Sequence, residues 1–166
     1  NPQRSDLNKR LEQFFTGLYS SGFFELARVR EKINSSFDNY YEDFVRINDN
    51  GVCPFCGLMP IDSEFDPTRE AYDHYLPKSR YPFNSVNLKN LAPSCNKCNS
   101  GCKRDQDPLY DKTGCRRKAF FPFSTSNANI LFCLRITNRN WVSLSPEDIE
   151  LELSSGLHSE EIETWK

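Results

Sequence analysis

Two Cys-x-x-Cys pairs, Cys53-Pro54-Phe55-Cys56 and Cys95-Asn96-Lys97-Cys98, constrain this chain more than any other feature. A two-residue spacer lets both sulfurs of a pair reach one small ion, so four thiolates so arranged close a tetrahedral zinc site. Such an ion joins the two ends of the intervening segment and holds its contents as a rigid group. Closed four-sulfur coordination leaves zinc no open position, which gives the metal a structural role. Cys102 could substitute as a ligand, but four-coordination is already satisfied. Cys102, Cys115 and Cys133 are expected to be small buried thiols, because free cysteine packs as an apolar residue.

Composition narrows the setting. A chain of 166 residues supports one ordinary core, or a small metal-stapled core with helical additions. Seven cysteines would suggest disulfides in a secreted protein, yet the number is odd and four stand in metal spacing. With no signal peptide visible, a reducing, cytoplasmic setting is expected. No run of about 18 apolar residues occurs, so no membrane span is expected. The chain starts at Asn1 and stops just after Ser159-Glu160-Glu161 announces a helix, the pattern expected of a trimmed chain.

Net charge is −2, but its distribution is uneven. From Lys78 to Lys118 ten basic residues stand against three acids. Nucleic-acid binding needs local positive potential rather than a basic average, since screening limits the reach of charge to about 8–10 Å. The alternative for this stretch is a solvated basic face.

Along the chain we expect an α+β protein in three parts. Residues 1–50 form a helical N-terminal arm, with Ser5 or Asp6 capping a helix through Leu18. A second helix runs from about Phe23 to Ile33, and a third, capped by Ser36, ends at Asp49-Asn50-Gly51. Residues 51–118 form the zinc-stapled core. In it Gly57 supplies the permissive backbone of the first knuckle, Glu70–Tyr75 and Leu91–Ser94 are strands, and a short helix starts near Asn96. Residues 119–166 form a small β-rich extension in which Asn129–Thr137 is a buried strand. Trp141–Leu144 and Ile149–Leu153 pair with it.

Chemistry must come from what the knuckles enclose. Asp73 and Asn99 offer a carboxylate and a neutral amide oxygen, donors suited to a hard divalent ion that keeps waters and takes a phosphate oxygen. His74, with an ordinary pKa near 6.5, is able to take a proton from water at neutral pH. Asp73 and His74 are adjacent on a strand, so their side chains leave on opposite faces.

The segment from Cys53 to Lys103 resembles the HNH endonucleases, the zinc-containing ββα-metal nucleases. Asp73-His74-x-x-Pro77 resembles their first histidine block, Asn90-Leu91-Ala92-Pro93-Ser94-Cys95 the middle block, and Cys95-x-x-Cys98-Asn99 the last. The resemblance covers about one third of the chain and is also similar to phage junction-resolving endonucleases. It implies that His74 is the general base, that Asp73 and Asn99 hold catalytic Mg²⁺ or Mn²⁺, and that Asn90 orients the loop that aims His74. Many members carry a lysine three positions after the final asparagine; here Cys102 fills that place and Lys103 follows. On this reading Lys78, Arg80, Lys97, Lys103 and Arg104 hold flanking phosphates of DNA or RNA. Asp73-His74-Tyr75-Leu76-Pro77-Lys78-Ser79 followed by Tyr81-Pro82-Phe83 further resembles HNH proteins found beside ATPases in anti-phage systems such as Septu and some retrons. That makes the helical arm a docking surface for an ATPase partner. The competing class is a non-catalytic zinc module that binds nucleic acid or protein.

Overall fold

A computed structural model describes residues 2–33, 37–48, 50–63, 65–124, 129–140 and 142–165, without the side chains of residues 2–4 and 165. The chain divides into two compact units, Asn1–Asp107 and Pro108–Lys166. The helices expected as a separate arm therefore share a unit with the knuckles, and the boundary falls after Asp107 rather than at 118.

In the first unit α1 spans Pro2–Ser20. It starts ahead of the caps expected at Ser5 or Asp6. The single helix expected from Phe23 to Ile33 is broken: a 3-10 turn Phe23–Glu25 gives way at Leu26, whose ψ of 126° is extended, before α2 at Ala27–Ile33. α3 covers Phe37–Ile47, and the cap expected at Ser36 lies outside the described residues. Tyr41, fully buried on α3, donates from its hydroxyl to Asp62 O, and Tyr40 donates to Leu88 O and Leu91 O. Through these bonds α3 holds both loops that lead into the metal region. Phe24, Phe37 and Tyr72 stack in series, with centroids 4.5 and 4.4 Å apart, so Phe24 and Tyr41 belong to the core as ordinary packing predicts, whereas Phe14 of α1 is 59% exposed.

Two strands cross the centre: β1, Tyr72–His74, and β2, Leu91–Pro93. They pair antiparallel with Asp73 opposite Ala92 and His74 opposite Leu91. Both are shorter than expected, although Tyr75 N still donates to Asn90 O at 2.9 Å and Ser94 N to Ala71 O at 3.3 Å just beyond the strand ends. A helix at Lys97–Lys103 follows β2. Its turn is wide: Arg104 N donates to Asn99 O, five residues back, at 2.9 Å. Single wide turns of this kind concentrate at functional sites.

In the second unit β3, Leu131–Ile136, pairs antiparallel with β4, Ile149–Ser154, and α4 spans Ser159–Trp165. The register gathers Phe132, Leu134, Ile136, Ile149, Leu151 and Leu153 on one apolar face. β3 was expected to be buried, yet Phe132 is 72% and Leu134 60% exposed. Alternating apolar residues set which face is apolar, but a ribbon of two strands covers neither face by itself. Cys133 sits on the opposite face, and it, Cys102 and Cys115 are all exposed, contrary to the burial expected of free thiols. Residues 142–144 form no strand, and Trp141 lies outside the described residues.

Candidate metal centre and active site

The zinc knuckles are built by backbone bonds. Cys53 N donates to Met59 O at 2.7 Å, and Gly57 N to Cys53 O at 2.8 Å, while Gly57 takes a φ of +64° that other residues rarely adopt. Val52 bridges Pro60 and closes the turn. Cys95 N points at Cys53 Sγ, 3.4 Å away, which links one knuckle to the other. Val45, Phe55 and Ile61 enclose the group. All four Sγ atoms lie within 4.8 Å of one another, and among the described residues this is the group of acidic, histidine or cysteine donors gathered closely enough for a metal. Tetrahedral zinc with bonds of about 2.3 Å needs sulfurs about 3.8 Å apart, a small inward adjustment. Burial pushes the Cys95 and Cys98 thiols up, whereas the backbone N–H of Met59 draws Cys56 down to about 7. A cation among the sulfurs offsets the cost of burying thiolates, so the donors, their spacing and their surroundings fit zinc.

Asp73 lies on β1 with its side chain 3% exposed. Lys103 Nζ reaches in from the wide-turn helix and donates to Asp73 Oδ1 at 2.9 Å and to His74 O at 2.5 Å. Lys103 is itself 7% exposed at the side chain. This corrects the expectation that Lys103 is a surface phosphate contact: a buried carboxylate needs a counter-charge, and Lys103 supplies it. Asp73 Oδ2 is left buried with no hydrogen-bond partner. Burial pushes the Asp73 carboxyl up, and the neighbouring Lys103 ammonium pulls it back.

His74 is buried, on the opposite face of the ribbon from Asp73. Its Nε2 lies 3.1 Å from Ser85 O. A carbonyl oxygen only accepts, so a neutral imidazole there carries its proton on Nε2 and presents a bare lone pair on Nδ1. Desolvation, opposed by the Ser85 carbonyl and aided by the Lys78 and Lys103 charges, lowers the pKa of His74 to about 4. Nδ1 is not among the buried polar atoms lacking a partner, and no described group bonds it, so solvent reaches it. The Tyr19 ring of α1 stands edge-on to the imidazole, with centroids 4.5 Å apart at 74°.

Asn90 is buried where β2 begins. Its Oδ1 accepts from Leu76 N at 2.8 Å, and its Nδ2 donates to Leu76 O and Asn84 O, each at 3.1 Å. These bonds tie together both ends of the loop containing Ser85, the residue that holds His74. Asn99 is half-buried one turn before Lys103 on the same helix. Lys103 meets Asp73, so Asn99 belongs to the helix face turned toward β1. The structure thus gathers Asp73, Lys103 and the His74 backbone through direct bonds, and it sets Asn99 on the adjoining turn without a direct bond to Asp73.

The basic residues are less uniform than expected. Lys97 and Arg104 are exposed, and Arg104 turns back to Ser100 O at 3.2 Å. Arg80 is exposed but lies 3.8 Å from Asp107. Lys78 places Nζ 5.0 Å from the centroid of Tyr19. Sequence reasoning missed Tyr19 and Ser85 altogether. Nothing local marks either, although the helical spacing of Asn99 and Lys103 could have placed the lysine beside the site.

The fold and site define a mixed protein of helices and small antiparallel sheets, organised on a four-cysteine cluster able to hold zinc. No protein-family model and no solved structure matches the chain. It is similar to Protein ea31 of Escherichia phage lambda, with 39% identity over 75 residues, which is 45% of this chain. The match spans 22% of that protein's length. No described helix is long and apolar enough to cross a membrane.

Proposed function

We propose that this chain is a metal-dependent endonuclease that hydrolyses phosphodiester bonds of DNA or RNA on a zinc-stapled ββα-metal core of the HNH type. The observation that carries this reading is the buried, unpartnered Oδ2 of Asp73, whose other oxygen is neutralised by Lys103, next in sequence to a histidine with Nε2 tied and Nδ1 open. An unpaired buried carboxylate oxygen costs free energy unless something occupies it. Asp73 Oδ2 and the Asn99 amide oxygen are hard donors, and they fit Mg²⁺ or Mn²⁺ better than a soft ion. When bound, that ion supplies positive charge toward a phosphate oxygen.

The chain's own residues do the rest. Held neutral, His74 accepts a proton from water at Nδ1, and the negative charge of a bound phosphodiester raises its proton affinity from a low starting point. Asn90 and Ser85 keep the ring aimed. Lys78, Arg80, Lys97 and Arg104 hold flanking phosphates, giving binding that weakens with salt and carries little sequence information. By resemblance to the anti-phage systems, the chain serves as the nuclease effector of a defence assembly, with an ATPase as its partner.

The test is incubation of plasmid and of RNA, with Mg²⁺ or Mn²⁺ and with EDTA, using the chain purified with its native neighbours. Cleavage should require the divalent ion. His74→Ala should lose about a hundredfold or more in turnover while retaining zinc and fold. A His74→Ala protein that cuts as fast as its parent would refute the assignment of the base.

A further inference from the structure

We infer that α1 is part of the active site, and that Tyr19 is a positioning residue that clamps the imidazole of His74 in one orientation. The inference rests on the nuclease reading for its functional consequence, but its geometry stands alone. Phe15 and Tyr19 are four residues apart and so occupy one face of α1. Phe15 packs on Phe83 with centroids 4.7 Å apart, and Tyr19 packs edge-on to His74 at 4.5 Å. Between these contacts runs the loop from Lys78 to Ser85 that leaves β1 and returns to the histidine. That loop is internally tied, since Ser85 Oγ donates to Pro82 O at 2.6 Å and Asn84 N to Tyr81 O at 2.9 Å.

A single hydrogen bond from Nε2 to Ser85 O fixes one point of the ring and leaves rotation about that point. The T-shaped contact with Tyr19 opposes this rotation, because turning the imidazole would break the packing of the two rings or drive one into the other. With both contacts in place the only ring nitrogen able to face a reacting water is Nδ1. Lys78, stacked over Tyr19, holds the phenol in turn. No described group bonds the Tyr19 hydroxyl, so the ring itself supplies the effect. The helical arm is therefore more than a docking surface: whatever displaces the end of α1 also frees the base.

The test compares the full zinc-loaded chain with Tyr19→Ala, Tyr19→Leu and Tyr19→Phe. Histidine ¹⁵N spectra report the tautomer directly, and with two histidines in the chain, His158→Gln suffices to assign His74. Parent and Tyr19→Phe should show one Nε2–H tautomer, while the Ala and Leu variants should show both tautomers or a shifted ring. An edge-on aromatic pair corresponds to roughly threefold to tenfold in an equilibrium, so kcat should fall by that factor in Tyr19→Ala and Tyr19→Leu. KM should stay within about twofold, and Tyr19→Phe should restore kcat. Unchanged tautomer and ring shifts in zinc-loaded Tyr19→Leu would overturn the clamp, as would parental kcat in Tyr19→Ala. Altered spectra together with no cleavage by any protein, parent included, when each is assayed with its native neighbours and Mg²⁺ or Mn²⁺, would support the clamp and overturn the nuclease reading instead.

Discussion

The ion pair between Lys103 and Asp73 carries the most exposed prediction. Both side chains are almost fully buried, at 7% and 3% exposure, and the nitrogen lies 2.9 Å from the oxygen. Lys103→Met keeps much of the apolar stem but leaves the Asp73 carboxylate buried without its cation. Breaking a buried pair in this way costs about 3–5 kcal/mol. For a unit of this size that corresponds to a fall of roughly 12–30 °C in Tm.

The cost should depend on pH with a definite sign. Asp73 already has a folded pKa raised by burial, with Lys103 the opposing influence. A group raised in the folded state contributes stability below its unfolded pKa and loses it as pH rises through the folded value. Removing Lys103 raises the folded pKa further, so the gap between parent and variant should widen from mildly acid to neutral pH. The assay is urea unfolding of zinc-saturated protein, followed by circular dichroism between about pH 5.5 and pH 8. Asp73→Asn combined with Lys103→Met should recover about 2 kcal/mol or more relative to the sum of the single changes. A Lys103→Met protein within about 1 kcal/mol of the parent at pH 7, with a gap independent of pH, would refute the buried pair and with it the counter-charge role of Lys103.

Three further predictions follow from the same centre. Asn90→Ala removes three side-chain hydrogen bonds and should cost about 2–4 kcal/mol in chemical denaturation, with a larger fractional loss in kcat than in substrate affinity because the loop behind His74 loosens. In the zinc-loaded chain a thiol reagent should label Cys102, Cys115 and Cys133 quickly and spare the four clustered cysteines; chelator should expose all seven and unfold the centre. Apparent zinc affinity should rise with pH through the thiol range, since binding displaces protons from Cys95 and Cys98, whose thiols burial pushes up, and competition with a metal indicator checks this.

Much of the centre was legible because it is local. Cys-x-x-Cys spacing, Gly57 after the first pair and the helical periods of α1 and α3 each act over a few residues, so short-range sterics determine them. Errors arose where a residue's fate depends on a distant partner. A lysine in a basic stretch reads as solvated until a buried Asp73, thirty positions away, claims it.

From the sequence alone came two metal-spaced cysteine pairs, a short antiparallel pair of strands and a set of candidate polar donors, because spacing and backbone preference are properties of neighbouring residues. Tertiary structure alone decided that Lys103 turns inward, that Asp73 keeps one oxygen unpaired, that Tyr19 abuts His74, and that β3 and three cysteines stay exposed. Each of those outcomes is a matter of burial, and burial is set by what folds over a residue from elsewhere in the chain.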